Sequence, residues 1–140
     1  KGREPCLKVL VDSSAWIEFL NGNPSPVRHA VVRLLEGQDD VCTCGVIVSE
    51  VLQGLRRDRE RGAIEKVFAQ MIFLDAVGID LYVRAATLYR SLRRRGVTVR
   101  STIDCLIAVL ADKYECAILA RDRDLSVIVA SGLVAVPAWR

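Results

Sequence analysis

Short apolar, β-branched runs alternate along this chain with stretches in which apolar residues recur every three or four positions. Leu7 to Val11 is the first such run; Asp12 ends it, and it reads as a buried strand. Asp12-Ser13-Ser14 offers N-cap chemistry to a short helix, Ala15 to Leu20, which Asn21-Gly22-Asn23-Pro24 stops. Pro26 opens a second helix that reaches Glu36, with Val27, Val31, Leu34 and Leu35 on its apolar side. Val41 to Thr43 predicts a second strand, and Val46 to Leu55 is helical by period. The charged run Arg56 to Arg61 predicts a turn into a further helix ending near Met71.

Phe73 to Val77 predicts a third strand. Ile79 to Arg95 predicts a long amphipathic helix, closed by Gly96 after arginines in the last turn. Ser101 caps a helix that runs to about Tyr114. Ala117 to Ala120 predicts a fourth strand, Asp122 to Ser131 a helix, and Val134 to Val136 a short fifth strand. Helices that outnumber strands and alternate with them imply a parallel sheet covered on both faces. No repeat, low-complexity stretch or long linker divides the chain, so residues 1–140 are expected to form one domain, with 1–6 a flexible or artificially added lead; the first residue is Lys1, not Met.

Composition narrows the class. At 140 residues, 51% hydrophobic and 26% charged, the chain has enough apolar material for one good core and excludes a disordered protein. A formal charge of +3, carried mostly by arginine, is a mild basic bias compatible with a polyanionic partner. No apolar run reaches bilayer length and no signal-peptide pattern is visible, so a cytosolic location is expected. The five cysteines, Cys6, Cys42, Cys44, Cys105 and Cys116, read as free thiols in a reducing compartment. Strand alternation points Cys42 and Cys44 to one face, but no second pair completes a zinc site.

The chemistry-bearing residues are acidic. Asp12 and Asp122 directly follow apolar strands, and strand carboxyl ends line the functional crevice of an open parallel sheet. Glu50 flanks the apolar stripe of Ile47, Val51 and Leu55. Asp104 borders that of Ile103, Leu106 and Ile107, and the small Ala108 and Ala111 let its helix lie close to the sheet. Each acid alone has a structural explanation: Asp12 and Asp122 as N-caps, Ser101-Thr102-Ile103-Asp104 as a capping box, Glu50 as a solvated helix residue. None has an obvious basic partner. As a set they would repel one another unless a cation sat among them, and oxygen ligands select Mg²⁺ or Mn²⁺ over zinc. Such ions polarise a phosphate and activate water, whereas the single histidine, His29, cannot supply a histidine acid–base pair.

Val11-Asp12-Ser13-Ser14-Ala15-Trp16-Ile17, Ser49-Glu50-Val51, Thr102-Ile103-Asp104-Cys105-Leu106-Ile107-Ala108 and Arg121-Asp122-Arg123-Asp124-Leu125 resemble, in order and spacing, the four acidic motifs of PIN domains, most closely those of VapC toxins. The resemblance spans the chain from Lys8 onward. It implies a three-layer α/β/α fold whose five-stranded parallel sheet has its first and fourth strands adjacent. It also implies a Mg²⁺- or Mn²⁺-dependent endoribonuclease with Asp12, Glu50, Asp104 and Asp122 as metal-binding catalytic residues and Asp124 as a fifth ligand candidate. Ser13 and Thr102 take positions that support such carboxylates by hydrogen bonds. Arg121 stands where relatives often carry a smaller polar residue, and Leu125 where Phe is common. The resemblance further implies a homodimer, a cognate VapB-type antitoxin that wraps and silences the toxin, and a structured RNA substrate, tRNA or ribosomal RNA.

Basic residues near the acids are candidates for gripping RNA phosphate. Arg100 stands just before the helix of Asp104, while Arg93, Arg94 and Arg95 equally suit a solvated helix end. The Arg56 to Arg61 run is interleaved with Asp58 and Glu60 and reads as a self-paired surface. Trp16 reads as core. Three other classes are weighed. A phosphoacceptor receiver domain needs adjacent acids after the first strand and a lysine after a late one, and neither is present. A flap-type DNA nuclease needs additional arches and helices. A non-catalytic binding module sits poorly with an intact acidic set.

Overall fold

The first apolar run folds as β1 (Lys8–Val11), and Val9, Leu10 and Val11 have no exposed surface. A strand buried on both faces must be central, and β1 is: it pairs in parallel with β2 (Asp40–Thr43) on one side and with β4 (Cys116–Leu119) on the other. A two-residue β3 (Ile72–Phe73) extends the sheet beyond β2, giving the order β3-β2-β1-β4. This computed structural model describes residues 6–139; the reading of residues 1–5 as a lead lies outside the described residues.

Seven α-helices cover the sheet among the described residues: α1 (Ser13–Asn21), α2 (Pro26–Glu36), α3 (Gly45–Gln53), α4 (Arg61–Ala69), α5 (Ile79–Arg94), α6 (Thr102–Lys113) and α7 (Arg123–Ala130). Their boundaries follow local chemistry. Ser25 Oγ accepts from Arg28 N and Pro26 takes the first turn of α2, while Gly96 at φ 80° closes α5. The Arg56 to Arg61 run forms one 3₁₀ turn, Asp58–Glu60, before α4, and Arg61 pairs with Glu65 on the surface. α6 is buried from Asp104 to Ala111, so it is an interior helix more than an amphipathic one. α5 and α7 pack against it, and α1 packs against α2 and α3. Trp16 sits in the core, edge-on to Phe19 and Phe68.

The sheet corrects one expectation. It has four strands among the described residues, not five, because Val134 to Val136 does not join it. Ala135 N donates to Asp112 Oδ2 at 3.0 Å instead of to a strand, and Pro137 has no N–H to continue a ladder. The third strand is also shorter and earlier than expected: Leu74 N reaches Thr43 O at 2.8 Å, after which the chain leaves the edge. The expected adjacency of the first and fourth strands is observed. No disulfide forms among the described residues; Cys42, Cys44, Cys105 and Cys116 are buried thiols and Cys6 is exposed. No helix among the described residues is long and apolar enough to cross a membrane.

Candidate metal centre

Three parallel strands end at one edge of the sheet, and each hands its chain to an acid. β1 passes directly into Asp12, whose backbone N–H donates to Leu119 O at 2.9 Å and so levels the ends of β1 and β4. β4 leads within a short turn to Asp122. β2 leads through Cys44, the N-cap of α3, to Glu50 one and a half turns into that helix. Asp104 arrives from the first turn of α6, where Ser101 caps the helix by accepting from Ile103 N at 3.0 Å.

The N-cap readings of Asp12 and Asp122 and their place in the site are both true. Asp12 Oδ2 accepts from Ser14 N at 3.1 Å, and Asp122 Oδ1 accepts from Asp124 N at 2.8 Å. Each cap ties its carboxylate to a helix start at the sheet edge, which fixes where the charge sits. One oxygen each from Asp104, Asp122 and Asp124 lie within 4.8 Å of one another. Oxygens at such separations fit around a single cation with bonds of about 2.1–2.5 Å. The donor set is all oxygen, as a hard ion requires. Asp12 is 3% exposed and borders this group, since its charge acts on Asp104. Glu50 is half-buried, and its Oε1 accepts from Ser13 Oγ at 2.9 Å.

Burial and like charge act together on the acids of the site. Burial, with the charges of Asp122, Asp12 and Asp124, pushes the Asp104 carboxyl up to about 7. Asp124 shifts the other way: the N–H of Arg100 holds its carboxyl below the usual range, helped by the guanidinium and opposed by burial. Burial raises the Cys44 thiol against the pull of the Ile47 and Val46 N–H groups, and Asp12 and Glu50 add to the rise. Beneath Asp104, burial lifts the Cys105 thiol to about 11, and the acid adds to it.

Of the acids singled out in the sequence, Asp104, Asp122 and Asp124 form the tight group and the charge of Asp12 acts on it, while Glu50 is joined to the start of α1 through Ser13. Ser13 reaches a carboxylate as expected. Thr102 is exposed, and no hydrogen bond among the described residues joins it to an acid. The expectation that no acid has a basic partner is corrected: Arg100 Nε lies 3.3 Å from Asp124 Oδ2, and its Nη2 lies 3.8 Å from Asp122 Oδ1. The loop after α5 folds back onto α7, a contact that strand and helix periods do not encode. Arg93 and Arg94 are exposed on α5, and Arg95 donates to Ser131 O at 3.0 Å at the end of α7. Arg121 pairs with Glu18 at 3.8 Å.

Ser14 is the residue the sequence reading undervalues. Its Oγ donates to Asp12 Oδ2 at 2.6 Å and accepts from Arg121 N at 2.9 Å. One hydroxyl thus links the motif after β1 to the motif after β4. Cap chemistry marks Ser14 as a partner of Asp12 in sequence; only the strand order reveals the second bond.

The chain belongs to the PIN-domain family, whose model matches residues 9–130. It is 36% identical over 121 residues to ribonuclease VapC11 of Mycobacterium tuberculosis, an alignment covering 86% of this chain and 90% of that protein. A VapC ribonuclease of Mycobacterium bovis matches to the same extent. Among solved structures, the DNA-bound VapBC of Salmonella typhimurium superposes with a TM-score of 0.70 at 19% identity, over 96% of this chain and 99% of that one. Mycobacterium tuberculosis VapC20, described as a sarcin–ricin-loop-cleaving toxin, superposes with a TM-score of 0.59 at 22% identity, over 92% and 99%. These superpositions concern the fold.

Proposed function

We propose that this protein is a divalent-metal-dependent endoribonuclease that acts as a growth-inhibiting toxin. The observation that carries the reading is the convergence of Asp104, Asp122 and Asp124, with Asp12 alongside, at the carboxyl edge of a PIN-type sheet. Asp12, Glu50, Asp104 and Asp122 would hold Mg²⁺, with Mn²⁺ able to substitute; Asp124 is the fifth candidate. When bound, such an ion polarises the scissile phosphate and activates water for in-line attack. The chain's own part is placement. The caps at Asp12 and Asp122 aim the carboxylates, Ser13 and Ser14 steady two of them, and burial of Asp104 concentrates negative charge where a cation neutralises it.

The substrate class is structured RNA, tRNA or ribosomal RNA, in line with the loop-cleaving description of VapC20. Solved VapBC neighbours support a cognate VapB-type antitoxin as the partner. Ile79, Tyr82 and Val83, exposed at helical spacing on α5, support homodimerisation, and a cytoplasmic site of action follows from an RNA target. Labelled structured RNA and duplex DNA, each incubated with purified protein and Mg²⁺ or EDTA, test the reading. Cleavage of RNA alone, abolished by EDTA and by Asp12→Asn, is expected. Cutting of DNA would reassign the substrate, and inert protein that binds no Mn²⁺ would leave only a binding module.

A further inference from the structure

Arg100 is rooted and free at once. Its backbone N–H donates to Asp124 Oδ2 at 3.0 Å, so the main chain is tied to the site whatever the side chain does. Its Nε lies 3.3 Å from that same oxygen and its Nη2 lies 3.8 Å from Asp122 Oδ1, which places the guanidinium over two of the three grouped carboxylates. Yet the side chain is 82% exposed, so nothing packed against it has to move when it leaves. Arg93 and Arg94 make no such contact with the acids, and Arg95 is committed to Ser131 O.

A guanidinium and a divalent cation draw on the same negative charge, and two cations a few ångströms apart repel. An arginine released from these carboxylates, still anchored by its main chain, stays at the mouth of the pocket. Its planar fork suits two phosphate oxygens.

We propose that Arg100 is an internal counter-ion that vacates the acidic pocket when the divalent ion enters and then grips the phosphate of the RNA. It therefore opposes metal binding and favours substrate binding. This inference rests on the metal-dependent reading above.

Arg100→Gln keeps the main-chain N–H to Asp124 and removes only the cation. Titration with Mn²⁺ alone, followed by electron paramagnetic resonance, is expected to give roughly two- to fivefold tighter binding than in the unmutated protein, the range for an exposed ion pair. The KM for a labelled RNA hairpin at saturating metal is expected to rise about tenfold, with kcat within about twofold. A purely structural arginine would instead weaken Mn²⁺ binding and lower kcat. Arg100→Lys keeps the charge and loses the fork, so its Mn²⁺ affinity stays near that of the unmutated protein while KM remains raised. No variant is needed for a third readout: in ¹⁵N-labelled protein the Arg100 Nε signal shifts when Mg²⁺ is added. Equal or weaker Mn²⁺ binding by Arg100→Gln, or an unmoved Nε signal under saturating Mg²⁺, overturns the proposal and leaves the nuclease reading intact. If the unmutated protein binds no Mn²⁺, the metal reading itself falls and this one falls with it.

Discussion

Ser13 Oγ donates to Glu50 Oε1 at 2.9 Å, joining the first turn of α1 to the middle of α3. Glu50 lies on α3 between exposed Ser49 and buried Val51, so this bond ties its carboxylate to the start of α1, next to Asp12, and holds it back from solvent. Ser13→Ala is expected to weaken Mn²⁺ binding by about tenfold, the low end for loss of a hydrogen bond that orients a ligand. Isothermal titration calorimetry reads the change. An unaltered affinity would remove Glu50 from the ligand set.

Asp104→Asn removes the acid whose ionised form is opposed first by burial and then by its acidic neighbours. RNA cleavage is expected to fall to background, while the metal-free protein melts higher by on the order of 5 °C as the repulsion is relieved. Differential scanning calorimetry in EDTA measures the second effect. A lower melting temperature would mean that the charges of Asp12, Asp122 and Asp124 do not bear on this residue.

The same carboxyl sets a pH dependence. Folding raises it from 3.8 to about 7, so between these values the folded chain keeps a proton that the unfolded chain has lost. Metal-free stability therefore declines as pH rises from about 4 to about 7 and is flat in this group above that. A cation needs the ionised form, so Mn²⁺ affinity runs the opposite way and is expected to be about tenfold tighter at pH 8 than at pH 6. Urea midpoints in EDTA and Mn²⁺ titrations over the same pH series check both slopes.

Most of the fold was legible because its signals are local. Pro26 and Glu36 bound α2 as read, Ser101 caps α6, and the apolar run before Asp12 is the central strand. Long-range competition decided the rest. Val134 to Val136 has the composition of a strand, but the Asp112 carboxylate takes the Ala135 N–H. The acids Asp12, Glu50, Asp104 and Asp122 could be named from motif and strand ends. The motif leaves open how Asp124 stands relative to Asp104 and Asp122; that it joins them, and that Arg100 covers it, depends on how the loop before α6 meets α7. Ser14 illustrates the same limit: half of its hydrogen bonding is local and half arrives from Arg121.

One backbone position carries strain that a substitution relieves. Glu115, between α6 and β4, has φ 58°, in the left-handed region, and its side chain is exposed. Glu115→Gly is expected to stabilise the protein by roughly 0.5–1 kcal/mol, because the steric cost of a Cβ there exceeds the extra freedom glycine gains when unfolded. Urea denaturation measures it; a loss of stability would show that the Glu115 side chain makes a contact of its own.

The acids that meet at the sheet edge come from widely separated stretches of the chain, and the last of them, Asp122 and Asp124, follow β4, which pairs with β1. A chain that stops before that strand lacks two of the three grouped carboxylates. The acidic pocket is thus a property of the finished fold, and no single segment of the chain carries it.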